Sequence, residues 1–441
     1  PLGSSPLLPL WYGRLLAGQY DVPAIHCVTR SVFTTTAPVH SYRGAGRPEA
    51  IYVLERLVRR AADDLGMDPA AFRRRNLLPP DAFPVETAAG ATYDSGDYEP
   101  ALEKALEAVD YETTRGTESR DDGRLVGVGL ASFVESTGGG FESGVVRVHP
   151  DGGVTAFAGT HSHGQGHATT YAQVVADELG VDPDDVDVVE GDTDRIPRGT
   201  GTFGSRSVVV GGGAIAESAR EVREKAARIA ANELEADPED VEHADGEFRI
   251  AGAPERSVSF AAVAAAAHGY DRPEGVDAGL EATSFFEPEG SAYAFGTHAA
   301  VVAVDPETGE VEVDRYVAVD DCGVRVNPKL VEGQVHGGVA QGIGQALHER
   351  AVYDEDGTLV SGTMADYKVP DAGHVPDIHT EHTVTPSPTN PLGAKGIGEA
   401  GTIAAPPAVV NAVVDALAPY GVDHVDMPVT PPRVWRAMRD S

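Results

Sequence analysis

Cysteine is almost missing from this chain of 441 residues; Cys27 and Cys322 are the only two. That excludes a disulfide scaffold, and it excludes a four-thiolate zinc or iron–sulfur site built from this chain alone. Lysine is nearly as scarce, with Lys104, Lys225, Lys329, Lys368 and Lys395 making up the whole set, so basic charge is almost all arginine. Against 34 basic residues stand 69 acidic ones, a net charge of −35. So acidic a chain repels nucleic-acid phosphates, which disfavours a nucleic-acid partner. It suits a halophilic cytoplasm, where high salt screens self-repulsion. No apolar run reaches the roughly 18–20 residues of a membrane span. The opening PLGSSPLLPLWYGRL has no basic region before its apolar stretch, so no signal peptide is visible. There is no Gly-Lys-Ser/Thr phosphate loop and no strand–Gly-x-Gly-x-x-Gly–helix unit, which leaves a nicotinamide-dependent dehydrogenase without support.

What is present is enough for two or more domains. Ile51, Leu54, Leu57 and Val58 recur at helical spacing and predict a helix near residues 48–66, stopped by Gly66. MDPAAFRRRN predicts a short helix capped by Asp68, and YEPALEKALEAV a third. Residues 112–124 are polar and unpatterned and read as an inter-domain crossing, dividing residues 1–117 from 118–441. Beyond it, VGVGLASFVE and SGVVRVHPDGGVTAFAG read as strands, the second a hairpin closed by Pro-Asp-Gly-Gly. HAAVVAVDPETGEVEVDRYVAVDD reads as another hairpin. Helices are expected at HATTYAQVVADELG, from VVVGGGAIAES onwards, at VEGQVHGGVAQGIGQALHE, and as an amphipathic element at PPAVVNAVVDALAPYG. Hairpins mixed with helices predict an α+β or mixed α/β architecture.

Chemistry concentrates in polar, glycine-rich loops on this apolar scaffold. In NPLGAKGIGEAG a single carboxylate, Glu399, sits among small residues that let a ligand approach; burial there predicts a raised pKa and a general base. GTGTFGSRS offers hydroxyls, backbone amides and Arg206 just before a helix, a cradle for a phosphate or pyrophosphate. HSHGQGH brings His161, His163 and His167 together, but no acidic or thiol ligand recurs near them at helical spacing, so no metal ligation is expected. Gln165 suits reading a heteroaromatic edge, because its amide offers both donor and acceptor. Cys322 ends an apolar strand beside a loop, and Arg43 in SYRGAGRPE could hold a phosphate or carboxylate.

Taken in order, SYRGAGRPEA, LGMDPAAFRRRN, THSHGQGHATTYAQVVADELG, GDTD with GTGTFGSRS, AVDDCGVRVNPKLVEGQVHGGVAQGIGQAL and PSPTNPLGAKGIGEAGTIAAPPAVVNAVVDAL resemble the molybdenum-binding large subunit of the xanthine oxidase family. That family includes aldehyde oxidases, xanthine dehydrogenases and aerobic carbon monoxide dehydrogenases. The resemblance runs from about residue 17 to the end. It implies a molybdopterin cofactor, in prokaryotic relatives usually the cytosine dinucleotide form, bound by aldehyde oxidase/xanthine dehydrogenase-type cofactor domains. Residue by residue, it implies that Gln165, Gly166 and His167 line the cofactor. Thr202, Gly204, Ser205, Arg206 and Ser207 would hold its pyrophosphate or pterin end, and Cys322 and Gln334 would contact it. Arg43 would lie beside the molybdenum, with Lys395 and Gly398 in the loop that carries the catalytic base, Glu399. The implied reaction hydroxylates an aldehyde or N-heterocycle with oxygen from water. Its electrons leave through iron–sulfur clusters and FAD, which two cysteines cannot provide here, so partner subunits must hold them.

Two departures limit this. Such subunits are near twice this length, and the Gly-Gly-Gln motif of their N-terminal half is not found before residue 41; with no starting Met, the chain resembles only their C-terminal part. It would then need that N-terminal half as a partner, or be a fragment without activity of its own. Carbon monoxide dehydrogenases proper place a copper-binding Cys where this chain has Gly44, and Ala45 stands where purine-oxidising members place an aromatic.

Overall fold

The computed structural model describes residues 7–270 and 272–440. Its first helices follow the sequence closely. Helix α1 (Arg47–Asp64) buries Ile51, Leu54 and Val58. Leu57 is instead 59% exposed, because the buried stripe runs through Ala50, Glu55 and Ala62. Helix α2 (Pro69–Asn76) is capped by Asp68, whose carboxylate accepts from the backbone N–H groups of Ala70 and Ala71. Helix α3 (Glu99–Ala108) follows. The polar stretch after it is not a free crossing. Tyr111–Arg115 is helical, Tyr111 and Thr114 are buried, and Ser119 pairs with Leu125.

The remainder is built on two four-stranded sheets and a smaller three-stranded one. The elements of the two four-stranded sheets and the helices that frame the site are, in chain order, β1 (Leu125–Thr137), β2 (Glu142–Val148), β3 (Val154–Ala158), α4 (His167–Leu179), β4 (Val186–Glu190), α5 (Gly212–Glu233), β5 (Leu280–Phe286), β6 (Ala292–Val304), β7 (Val311–Asp321), α6 (Pro328–Leu347), β8 (Ile378–Thr383) and α7 (Ala400–Ala416). One sheet has the order β5-β2-β3-β4, the other β8-β7-β6-β1. Both are antiparallel except at β3/β4 and β7/β8. This is the expected mixed architecture of helices and largely antiparallel sheets.

The second sheet is covered on both faces. On one, Ala131, Phe133, Ala300 and Val302 meet α6 and α7. On the other, Val128, Leu130, Val301 and Val317 meet Leu102 and Ala105 of α3. A strand buried on both sides loses its polar alternation, which is why β1 reads as one apolar run. Glycine sets the spacing: a Cβ on Gly127 or Gly129 would fall on the backbone of α7. The first sheet packs on α4 and α5 in a separate core.

Two helix starts differ from expectation. Helix α7 begins at Ala400, not at the Pro-Pro pair, and carries Pro406 and Pro407 inside it. Nor is it amphipathic; nearly every residue is buried, as befits a helix central to its core. Helix α5, expected to start after the glycines, starts within them at Gly212 and is preceded by a π-helical turn, Ser207–Gly211. There Tyr171 donates to the Ser207 carbonyl, and a Cβ on Gly211 would meet the Tyr171 hydroxyl at 2.7 Å.

Candidate functional site

Between the two cores lies a cavity of about 510 Å³. Five separate segments wall it: Arg43; His163 to Tyr171; Thr202 to Val208; Cys322 to Gln334; and Ala394 to Glu399. The fold thus brings together Gln165, His167, Thr202, Gly204, Ser205, Ser207, Cys322, Gln334, Lys395, Gly398, Arg43 and Glu399.

Glu399 is the best-defined group. It precedes α7 directly, and Oε1 accepts from the Gly44 backbone N–H at 2.8 Å. Oε2 accepts from the Ser205 hydroxyl at 2.8 Å, and Arg47 stands 3.6 Å away. Burial alone would raise its pKa, as the sequence suggested. Arg47, a Glu135 hydrogen bond, Gly44 and Ser205 outweigh that, and Glu399 is held below its ordinary 4.5. The expected raised pKa is therefore corrected: the carboxylate is ionised through the neutral range because charge and donors surround it. The stabilisation these partners provide is present above pH 4.5 and lost as the pH falls through the lower folded value.

The loop carrying Ser205 is built for this contact. Ser205 adopts φ +50°, a left-handed conformation uncommon for a residue with a side chain. Gly396 packs against it so closely that a Cβ there would overlap the Ser205 carbonyl oxygen and Cβ. Gly396→Ala is expected to push the two loops apart, costing about 1–3 kcal/mol by overpacking and breaking the Ser205–Glu399 bond. A denaturant midpoint unchanged from wild type would contradict this.

Arg43 donates from Nε to the Gly398 carbonyl at 2.6 Å and reaches Gln341 and Gln334 at 3.3–3.4 Å. Burial lowers its pKa, with Glu399 opposing that shift. Since Gln334 Oε1 accepts from Arg43, its amide N–H groups are what it can offer a ligand. Gln165 is similarly committed. Its Oε1 accepts from the His163 backbone, and its Nε2 meets His167 Nε2 at 2.9 Å. His167 Nδ1 in turn meets Glu190 at 2.8 Å. With Nδ1–H donating to the Glu190 carboxylate, Nε2 is left to accept from the Gln165 amide. Gln165 therefore presents one N–H to the cavity rather than the donor-and-acceptor edge expected.

Gly166 lies behind the wall. At φ +79° it opens α4, and a Cβ there would meet Leu330 at 2.6 Å. Cys322 is buried, and its thiol is pushed up to about 12 by desolvation and then by Asp321 and Asp320, so it stays neutral. Lys395 is also buried; its backbone N–H donates to the Cys322 carbonyl at 2.7 Å and its ammonium lies over the Phe295 ring at 4.8 Å. Burial lowers its pKa, opposed by Asp94 and Asp321.

Arg206 departs from the reading as an anion clamp. Its guanidinium turns away from the cavity and is bonded to Glu142 and to the carbonyls of Gly139, Phe141 and Gly201. The cradle's hydroxyls are instead those of Thr202 and Ser207, with the loop's backbone, since the Ser205 hydroxyl is given to Glu399. Among the described residues no cluster of three or more His, Cys, Asp or Glu could hold a metal ion, and the His161 and His163 rings only pack together at 5.4 Å.

Sequence reasoning missed Arg47, Glu135, Glu142 and Glu190. Arg47 was legible as a second cation in the same loop as Arg43. The three glutamates act through partners distant in sequence, and only Glu135 left a trace, as a carboxylate ending an apolar strand.

A molybdopterin cofactor-binding domain family matches residues 104–376, and another of the same description matches residues 3–77. The chain belongs to the xanthine oxidase family of molybdopterin-binding large subunits. The chain is 41% identical over 446 residues to the carbon monoxide dehydrogenase large chain of Hydrogenophaga pseudoflava, covering 97% of its own length and 55% of that protein. A solved Cu,Mo-CO dehydrogenase in its carbon monoxide reduced state matches with a TM-score of 0.93 at 36% identity, over 97% of this chain and 57% of that one. Quinoline 2-oxidoreductase from Pseudomonas putida 86 matches with a TM-score of 0.92 at 38% identity, over 98% and 57%. The chain thus spans about half the length of the relatives it matches. Among its described residues no helix is long and apolar enough to cross a membrane.

Proposed function

We propose that this chain supplies the base-bearing half of a cytoplasmic molybdenum hydroxylase acting on an aldehyde or N-heterocycle. The observation that carries the reading is Glu399: one ionised carboxylate, held by Gly44 and Ser205, on the wall of a cavity of about 510 Å³. The donor set fits an anionic dinucleotide. Hydroxyls of Thr202 and Ser207, the free N–H of Gln165 and the amide of Gln334 all face one space, and among the described residues no carboxylate other than Glu399 lines it. In this reading Gln165 and His167 line the cofactor, residues 202–207 hold its pyrophosphate, and Cys322 and Gln334 contact it. A molybdopterin cytosine dinucleotide, when bound, supplies the two-electron redox centre. Glu399 takes the proton from the water-derived nucleophile as that oxygen attacks the substrate carbon. Each of its oxygens retains a lone pair beyond the bond already made. Arg43 fixes the Gly398 carbonyl and so the loop that carries this base. Lys395 anchors the same loop from behind.

Partners follow from the thiol count. Iron–sulfur clusters and FAD belong to other subunits, and the remaining half of the large subunit completes the cavity. In this reading residues 1–117 are the end of a first cofactor domain and residues 118–441 a second. Copper-dependent chemistry is not part of the proposal. Gly44 has φ +105°, and a Cβ there would overlap the Pro48 ring, so the observed loop has no room for a thiolate. That the chain spans about half of its relatives favours a second reading, a fragment inactive by itself. Co-expression with the missing half and the two electron-carrying subunits separates the two. The complex is expected to contain molybdenum and release a pterin and a cytosine nucleotide on hydrolysis. A folded complex with neither would leave only the second reading.

A further inference from the structure

Among the described residues three glutamates are completely buried: Glu55, Glu135 and Glu142. Two have an arginine. Arg73 forks onto Glu55 at 2.6 and 3.1 Å, joined by the Tyr20 hydroxyl, and Arg206 bonds Glu142. Glu135 has no such partner. Neither of its oxygens accepts from a donor in the structure. An ionised carboxylate left so would carry a desolvation cost that the charge of Arg47 offsets only in part.

Its position gives this meaning. Alternate residues of a strand share a face, so Glu135 lies with Gly127, Gly129, Ala131 and Phe133 on the side of β1 that meets α7. It sits near the strand's end, as Glu399 sits just before the start of α7. The groups facing Glu135 are Glu399 from that helix start, Ser205 from the loop before α5, and Arg47 from the start of α1; Arg43, just upstream, feels its charge as well. Arg47 is occupied with the Gly44 and Ser136 carbonyls and Glu399. Desolvation first, then the Glu399 charge, push the Glu135 pKa well up, with Arg47 opposing.

We propose that Glu135 and Glu399 share a single proton, with Glu135 the resident acid whose hydroxyl orients Glu399 and keeps it ionised. Glu135 is a positioning residue, since it lies behind the cavity wall. The inference rests on Glu399 being the base of the proposed hydroxylase, but the pair's protonation can be read without turnover. In the infrared spectrum of the assembled complex at neutral pH, a protonated-carboxyl C=O band that shifts in deuterium oxide is expected. Glu135→Gln should remove it, and Glu399→Gln should move it without removing it. Absence of any such band lost in Glu135→Gln overturns the proposal, whether or not the complex turns over. In an active complex, Glu135→Leu removes the donor and is expected to move the acid limb of the kcat/KM profile up by about one pH unit, a tenfold loss on that limb. Glu135→Gln, whose amide still donates, should leave the limb in place. Glu135→Met serves if the Leu variant is unstable. A limb unmoved in the variants lacking a donor overturns the positioning role; complete inactivity of wild type with the band present bears on the hydroxylase reading alone.

Discussion

Replacing Glu399 by Gln is expected to reduce turnover of the assembled complex by at least about 10²–10⁴-fold, the usual contribution of a positioned base. The fold and the bound cofactor should survive. Gln is isosteric: its amide oxygen can still accept from the Gly44 N–H, and its amide N–H can donate to the Ser205 hydroxyl oxygen, replacing the two bonds that fix the carboxylate at 2.8 Å each. What it cannot do is take a proton. Its loss should therefore appear in kcat and in kcat/KM together, the signature of an interaction made in the transition state. Molybdenum and pterin content measured on the same preparation separates lost chemistry from lost cofactor. Turnover within tenfold of wild type at full cofactor content would remove Glu399 from the mechanism.

The second large effect is on stability. Arg206→Met should cost about 3–5 kcal/mol, because it strands a buried carboxylate rather than merely deleting a contact. Glu142 is completely buried, and Arg206 is 1% exposed. Without the guanidinium, Glu142 keeps only its bonds from the Thr200 and Gly201 amides and the Thr200 hydroxyl. Arg206→Lys should not rescue it, since one ammonium cannot reproduce a planar fork onto Glu142 and three carbonyls. The double variant Arg206→Met with Glu142→Gln should recover part of the loss, because the buried charge goes too. Chemical denaturation of the four proteins tests this; a single variant losing less than about 1 kcal/mol would show the pair to be dispensable. The same variant loosens the loop that delivers Ser205 to Glu399, so its stability and its activity should fall together.

These two residues show what the sequence could and could not convey. The motif segments were legible because short-range chemistry marks them, and the fold does gather them around one cavity. Arg206 misled because an arginine among Gly, Ser and Thr suits an anion site, whereas its partner Glu142 is 64 residues away. The Glu399 pKa misled for the same reason at longer range: Gly44, 355 residues earlier, supplies one of its donors. Glu135 escaped because β1 is covered on both faces, which erases the alternation that would have set its carboxylate apart. The start of α7 was obscured by Pro406 and Pro407, which suit a first turn, although here they lie deeper in a helix packed all round.

The separation between Gly44 and Glu399 also dictates timing. A ribosome completes α1 and the Ser205 loop long before it reaches residue 399, and domains tend to fold as they emerge. Until then the Gly44 amide, Arg47 and Ser205 form an open receptor with no carboxylate to seat. During synthesis the base arrives last, and the site cannot begin proton chemistry on a chain that is still being made.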